Sequence, residues 1–503
     1  MGSPGVQVPA VRLSSPQGRW LLLATVLGSG LALLDATVVN VALGRIGTEF
    51  DAGFAGLQWT LNGYALTLAS FILLGGSLGD RLGRRRIFII GTVWFAVASL
   101  LCGIAPNVEL LVAARALQGV GAALLTPGSL AIISASLHPD DRARAIGAWS
   151  GLGGIAAAIG PFVGGYLIDV WSWRLVFLIN LPLAVLVVVV TLKYVPETVD
   201  PQASPQLDVP GAVLGAVGLA GITYALIAAG DAGWSALTVI SGVAGVACLV
   251  AFLVVERRSE HPLVPLDLFA STQFTAANVV TFAVYGAMGA LFFLLVLDLQ
   301  VVAGFSPLLA GSALLPLTVL MLLLSARAGA LAQRIGPRLP MTLGPLLCAA
   351  GVLLMLRIGP EASYLLDVLP AVSVFGLGLS VTVAPLTATV LASADDRHAG
   401  VASGVNNAVA RAASLLAVAV LPALAGLSGA DYQRPEVFEA GFTTVVWICA
   451  GLLALGGVLS WLTIDRQLRR PAAADQPMHC AVAGPPLHQQ THRVGGGPGS
   501  PLR

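Results

Sequence analysis

Fourteen separate runs of about 20 apolar residues, set between short polar or Gly/Pro breaks, constrain this chain more than any other feature. A helix rising about 1.5 Å per residue needs about 20 residues to cross roughly 30 Å of hydrocarbon. The runs cover residues 20–44, 57–78, 87–106, 108–135, 146–168, 174–194, 209–229, 236–255, 273–298, 307–328, 340–358, 366–392, 400–427 and 440–463. With no water in the bilayer core, each run must satisfy its backbone internally, which predicts an all-α membrane protein. Composition agrees, since 57% hydrophobic against 10% charged residues does not describe a soluble chain. The first run is too long for a cleaved leader and is followed by another span, so it is expected to stay in the membrane.

Charge says where the work comes from and how the chain is oriented. Twenty-six basic against 25 acidic residues leave a net charge of +1, which excludes an electrostatic case for nucleic acid. Lys193 is the only lysine, so no GxxxxGK phosphate loop exists and a gradient rather than ATP must supply energy. The five cysteines have no paired spacing, and the six histidines fall in loops or tails, so neither a disulfide framework, a metal site nor a histidine proton relay in the membrane is expected. Basic residues cluster on one side of the alternating spans, including Arg12, Arg19, Arg81, Arg84, Arg85, Arg86, Arg142, Arg144, Lys193, Arg257, Arg258, Arg334 and Arg338. Basic loops stay in the cytoplasm, so both termini are expected inside. Trp20, Trp171, Trp173, Trp234 and Trp461 fall near span ends, where amphipathic rings are expected to anchor helices.

The chain repeats itself. GSLGDRLGRR at 76–85 recurs as GALAQRIGPR at 329–338, Asp140-Asp141-Arg142 recurs as Asp395-Asp396-Arg397, and Gly119/Gly121 recur as Gly376/Gly378. The offsets of 253, 255 and 257 residues keep one order, which implies two homologous halves. The expected plan is a short tail (1–19), a six-helix bundle (20–195), two inserted spans (205–258), a second six-helix bundle (273–463) and a disordered Pro/Gly-rich tail (464–503). Halves related by an axis along the membrane normal place a site between them and imply alternating access.

Charges within spans are the functional candidates, because each costs at least about 2.5 to 3.5 kcal/mol at midmembrane. Asp35 is the one acid well inside a run, whereas Asp298 and Asp367 fall near outer ends, where solvation is the simpler expectation. Arg115 and Arg411 are the deep bases, and Arg327 lies close enough to the inner face to snorkel. Asp35 and Arg115 share a depth of roughly 12 to 15 Å from the outer face. They are therefore the expected proton-coupling pair, the alternative being an ion pair that only fixes packing. Gly76, Asp80, Arg81, Gly83, Arg84 and Arg85 form a glycine-framed charged loop between spans 2 and 3, expected as a cytoplasmic gate. Gly160, Pro161, Gly164 and Gly165 mark a bend in span 5.

LDATVVNVAL (Leu34 to Leu43), GDRLGRRR (Gly79 to Arg86), RALQGVGAALLTP (Arg115 to Pro127), GPFVGG (Gly160 to Gly165) and WRLVFLINLP (Trp173 to Pro182) follow one another as the motifs of a known group do. The chain resembles, from span 1 to span 14, the fourteen-span drug:proton antiporters of the major facilitator superfamily. The resemblance implies a secondary transporter, not an enzyme, that exports an amphipathic drug or antibiotic against protons without a cofactor. It also implies coupling at Asp35 and Arg115, an inner gate at Asp80, and an antiporter bend at Gly160-Pro161. A cavity lined by Asn40, Trp59, Asn62, Tyr64, Gln118, Asn406, Asn407 and Arg411 is expected. The position matching an acid in relatives that export dications is Asn62, and Gln333 stands where the first repeat has Asp80, so the substrate is expected to be neutral or monovalent. The expected setting is a bacterial plasma membrane, with the lipid bilayer as the only macroscopic partner and a monomer as the working unit. Abundant Ala, Gly, Leu and Arg point to a GC-rich genome such as an actinobacterium's. Export of an endogenous metabolite or proton-coupled uptake are the competing readings, and a membrane sensor or enzyme is disfavoured because no soluble domain, metal cluster or embedded nucleophile is seen.

Overall fold

The computed structural model describes residues 11–200, 208–259, 262–393 and 399–466. Fourteen helices in it are long and apolar enough to cross a membrane. In the first half these are α1 (Pro16–Phe50), α2 (Phe54–Leu82), α3 (Arg84–Gly103), α4 (Val108–Ser136), α5 (Pro139–Val170) and α6 (Leu175–Tyr194). The inserted pair is α7 (Val209–Ala232) and α8 (Ala236–Arg258). The second half holds α9 (Thr272–Val301), α10 (Pro307–Ile335), α11 (Arg338–Arg357), α12 (Tyr364–Ala392), α13 (Ala399–Leu424) and α14 (Pro435–Thr463). Side-chain oxygens cap the exposed first-turn amides at several starts: Ser15 accepts from Gly18, Asn107 from Leu110, and Ser235 from Thr238. The second copy of the Asp-Asp-Arg repeat and the tail beyond residue 466 lie outside the described residues.

The repeated glycines do the same job twice. A Cβ on Gly121 would lie 2.6 Å from the Phe95 backbone nitrogen in α3, and one on Gly378 would lie 2.5 Å from the Cys348 nitrogen in α11. Gly119 faces the Tyr64 carbonyl of α2, and Gly376 faces Leu317 of α10 at 2.8 Å. Each Gly-x-Gly thus lets the fourth helix of its half press against the second and third, with backbone rather than side chain at the contact. Gly83 and Gly336, also equivalent in the repeat, have φ of 110° and 86°, values that L side chains disfavour, and turn the chain directly from one helix into the next.

At the end opposite the arginine-rich loops the two halves are sewn together. Gln58 donates to the Val418 carbonyl at 2.7 Å, the Phe54 amide to Gly429 at 2.6 Å, and Gln300 to the Val41 carbonyl at 3.1 Å. Tyr432, 1% exposed, donates to the Ala52 carbonyl at 2.9 Å. At the arginine-rich end no hydrogen bond or ion pair joins the halves among the described residues. The first Asp-Asp repeat instead ties down the N-terminal segment, through Arg12 to Asp140 at 3.3 Å and the Leu13 amide to Asp141 at 3.0 Å.

The inserted helices reach both halves: Tyr224 of α7 packs on Trp59 of α2, Gly230 lies against Ala423 of α13, and Asp231 accepts from the Gly429 amide at 3.0 Å. One expectation about anchors needs correction. Trp20, Trp171, Trp234 and Trp461 are exposed, but Trp173 is 3% exposed and donates to Glu49 at 2.6 Å, so it ties α1 to the start of α6 instead of facing an interface. Gly121→Leu or Gly378→Leu should lower the melting temperature of the purified protein by several degrees, because backbone blocks the new side chain. Gly147→Ala, at a position with nothing within 4 Å, should leave it within a degree or so.

Candidate functional site

Asp35 and Arg115 meet in the interior of the first half. Both are almost wholly buried, at 0% and 1% exposure, and Arg115 Nη1 donates to Asp35 Oδ2 at 2.5 Å. The remaining valences are filled locally. Gln118 Nε2 and Asn180 Nδ2 donate to Asp35 Oδ1 at 2.8 and 3.2 Å, and both amides also donate to Ser99 Oγ. Arg115 Nε donates to the Thr60 carbonyl at 3.0 Å, and its Nη1 to Gln118 Oε1 at 2.6 Å. Its guanidinium lies 4.3 Å from the Tyr64 ring centre, and that tyrosine donates to the Ala32 carbonyl at 3.3 Å. Five helices therefore converge on one carboxylate, and removing its charge would release donors from α4 and α6 at once.

The charged loop between α2 and α3 is held inside its own half. Arg84 bridges Asp80 at 2.7 Å and Asp200 at 3.7 Å, and the Glu197 carboxylate accepts from the Arg85 and Arg86 amides at 3.0 and 3.1 Å. The acids come from the segment that follows α6, which the sequence reading passed over. Arg81 and Gly83 complete the turn, and Gly76 packs on Pro127 of α4 at 3.6 Å.

Gly160 and Gly164, one turn apart, take Thr37 and Val38 of α1 against the helix backbone. Pro161 and Gly165 present the neighbouring stripe to the other half, where Gly311 meets the Pro161 carbonyl and a Cβ on Gly165 would lie 2.6 Å from Leu308. The motif is thus a seam between halves as well as a bend in one helix, and Gly311 is its unforeseen partner.

The expected cavity residues separate into groups. Gln118 belongs to the Asp35 network, Trp59 faces Tyr224 of α7 at a centroid distance of 6.5 Å, and Asn40 donates to the Ala36 carbonyl of its own helix. These three are spoken for by the protein itself. Asn62 is 1% exposed, and its Nδ2 has no partner. Asn406 joins α13 to α9 through Asn278 at 3.1 Å and Thr281 at 2.7 Å. Asn407 is exposed, and Arg411 is part-buried with its Nε unpartnered.

Asp298 also departs from expectation. It was expected to be solvated, yet it is 0% exposed and neither carboxylate oxygen has a hydrogen-bond partner. The reason is that α9 is packed on all sides near its end, so proximity to the span end brings no water. Asp367 does find a charge, in Arg357 at 3.2 Å, and Arg327 is exposed with its guanidinium folded onto the Leu323 carbonyl. Ser99 and Asn180, missed as site residues, carried one signal: Asn180 lies within WRLVFLINLP, an amide in an otherwise apolar helix start.

Fourteen membrane-length helices, with a buried ion pair inside the first six, set the frame for the comparison with known transporters. The Major Facilitator Superfamily model matches residues 25–211 and 209–418, and the chain belongs to that superfamily. It is 36% identical over 403 residues to the multidrug resistance protein Stp of Mycobacterium tuberculosis, covering 80% of this chain and 74% of that one. It is 35% identical to the puromycin resistance protein of Streptomyces alboniger, covering 95% and 97%. The methylenomycin A resistance protein of Bacillus subtilis is 34% identical, covering 89% and 95%. Among solved structures, the peptide transporter POT with sulfate matches with a TM-score of 0.67 at 17% identity over 92% of this chain and 98% of that one, a likeness of fold alone. The protein is thus a multi-pass membrane protein with bacterial relatives named for drug and antibiotic resistance.

Gln118→Leu and Asn180→Leu should each destabilise the protein by about 1 to 3 kcal/mol, because each takes a donor from the buried Asp35 carboxylate and from Ser99. The double variant should lose less than the sum, since both donors serve the same two oxygens. Thermal unfolding of the four proteins in one detergent checks this.

Proposed function

We propose that the chain exports a drug or antibiotic from the cell in exchange for protons, by alternating access. The observation that carries this reading is the Asp35 carboxylate, buried at midmembrane and held by Arg115, Gln118 and Asn180. Protonation of Asp35 removes the charge that holds the guanidinium and two amides, so α1 can move against α4 and α6. Deprotonation restores all three contacts. Drug-resistance relatives spanning nearly the whole chain support the substrate class.

The arginine-rich loops support placing that end, with both termini, in the cytoplasm of a bacterial plasma membrane. With the far ends of the two halves joined by Gln58, Gln300 and Tyr432, the conformation is then the inward-facing one. The two bundles would rock about the Gly160–Gly165 seam, with α7 and α8 bracing α2 against α13. Asp80 and its arginines, held within the first half here, would be free to engage the second half when the inner side closes. The working unit is a monomer, because each chain holds both halves. One proton entering down 100 mV supplies about 2.3 kcal/mol. At about 1.4 kcal/mol per decade that sustains roughly a 40-fold gradient of a neutral drug.

Inverted vesicles carrying the full chain test the reading, with puromycin first in a panel of antibiotics. Wild type should accumulate a drug when the lumen is acidified, and Asp35→Asn should lose at least about tenfold of that accumulation while still exchanging drug with no gradient. Normal pumping by a folded Asp35→Asn protein would move the proton pathway elsewhere.

A further inference from the structure

Arg411 is a cation without an anion. It lies 12 residues from the start and 13 from the end of α13 (Ala399–Leu424), about 18 to 20 Å from either end, which is farther than its side chain reaches. Among the described residues it forms no hydrogen bond and no ion pair, and its Nε is buried without a partner. The carboxylate of the candidate site, Asp35, already accepts from Arg115, Gln118 and Asn180.

Packing fixes Arg411 in this place. Gly289 of α9 admits Ser414, whose Cβ would be 2.7 Å from a Cβ on that glycine, and Ser414 Oγ donates to the Tyr285 carbonyl at 2.8 Å. Five residues before Arg411 in α13, Asn406 is bound to Asn278 and Thr281 of the same α9. These polar groups bracket the guanidinium without serving it. Tyr64 belongs to the first-half network, with the Arg115 guanidinium on its ring and its hydroxyl donating to the Ala32 carbonyl. With Asp35 ionised, the three central charges sum to +1. An unpaired cation at this depth is costly unless a ligand neutralises it, and a planar guanidinium suits an oxyanion such as a carboxylate or phenolate.

We propose that Arg411 anchors the anionic group of the transported molecule, which is therefore an amphipathic monoanion such as a carboxylate or acidic phenol on a ring system. The proposal rests on the exporter reading and narrows its substrate class.

A matched pair of probes tests it: anilinonaphthalene sulfonate, an aromatic monoanion, and phenylnaphthylamine, the same rings without the charge. Fluorescence titrations use the full chain in lipid nanodiscs with no gradient, so the result is independent of whether protons drive transport. Loss of proton-driven efflux in Asp35→Asn bears on the exporter reading, whereas these titrations bear on Arg411. Wild type should bind the sulfonate saturably and about tenfold tighter than the amine, a difference of about 1.4 kcal/mol. Arg411→Gln should abolish that preference while leaving amine binding within about twofold, and Arg411→Lys should keep most of it. Equal affinities in wild type, no saturable sulfonate binding, or parallel loss of both probes in Arg411→Gln would overturn the proposal. If the glutamine variant does not fold, the wild-type preference and its retention in Arg411→Lys decide the matter.

Discussion

Hydrocarbon offers no hydrogen bonds, and nearly every feature of this protein follows from that constraint. The backbone has to close on itself within each crossing, so the chain is helical through fourteen spans. Side chains obey the same rule. Asp35 and Arg115 persist at the centre because Gln118, Asn180, Ser99 and the Thr60 carbonyl complete their valences. Hydroxyls such as Thr92 and Ser380 turn back onto the carbonyl one turn earlier and need no external partner. Among the groups that break the rule, the charged Arg411 and Asp298 stand out for want of solvent to hide them.

Apolar surfaces gain little by leaving lipid for one another, so helix association falls to close backbone approach. Glycine supplies it, and duplication supplies it twice. Gly119 and Gly121 in one half, and Gly376 and Gly378 in the other, remove side chains where α4 and α12 cross their neighbours. Between the halves, Gly165 and Gly311 allow α5 and α10 to touch along the Pro161 carbonyl. A seam where glycine meets backbone suits surfaces that slide, as the proposed rocking of the halves requires. The inserted α7 touches both α2 and α13, at Tyr224 and Gly230, while the more exposed α8 packs on α7 through Gly218, Gly221 and Gly245.

Much of the candidate site was legible because charges in apolar runs are rare. Asp35 and Arg115 could be paired from depth alone, since each lies a similar number of residues from the outer end of its span. Depth is one coordinate, however, and the others were hidden. Trp59 and Asn62 sit three residues apart, yet Trp59 is taken up by Tyr224 while Asn62 is left with an idle amide. Glu197 and Asp200 escaped notice because a loop acid is ordinarily solvated, and only the fold brings them over the start of α3 and onto Arg84. Asp298 misled for the converse reason, because a residue near a span end is wet only when its neighbours leave it open.

The amino-acid order by itself determined the number of crossings, the duplication of six helices and the burial of the Asp35 and Arg115 charges. These depend on local hydropathy and spacing, quantities a one-dimensional pattern carries in full. Tertiary structure alone decided which donors surround Asp35, that Gly160 and Gly164 face α1 while Pro161 and Gly165 face α10, and that Arg411 pairs with no acid among the described residues. A span written in sequence has a depth but no azimuth. Rotation of each helix about its axis is set only when its small residues find the neighbour they fit.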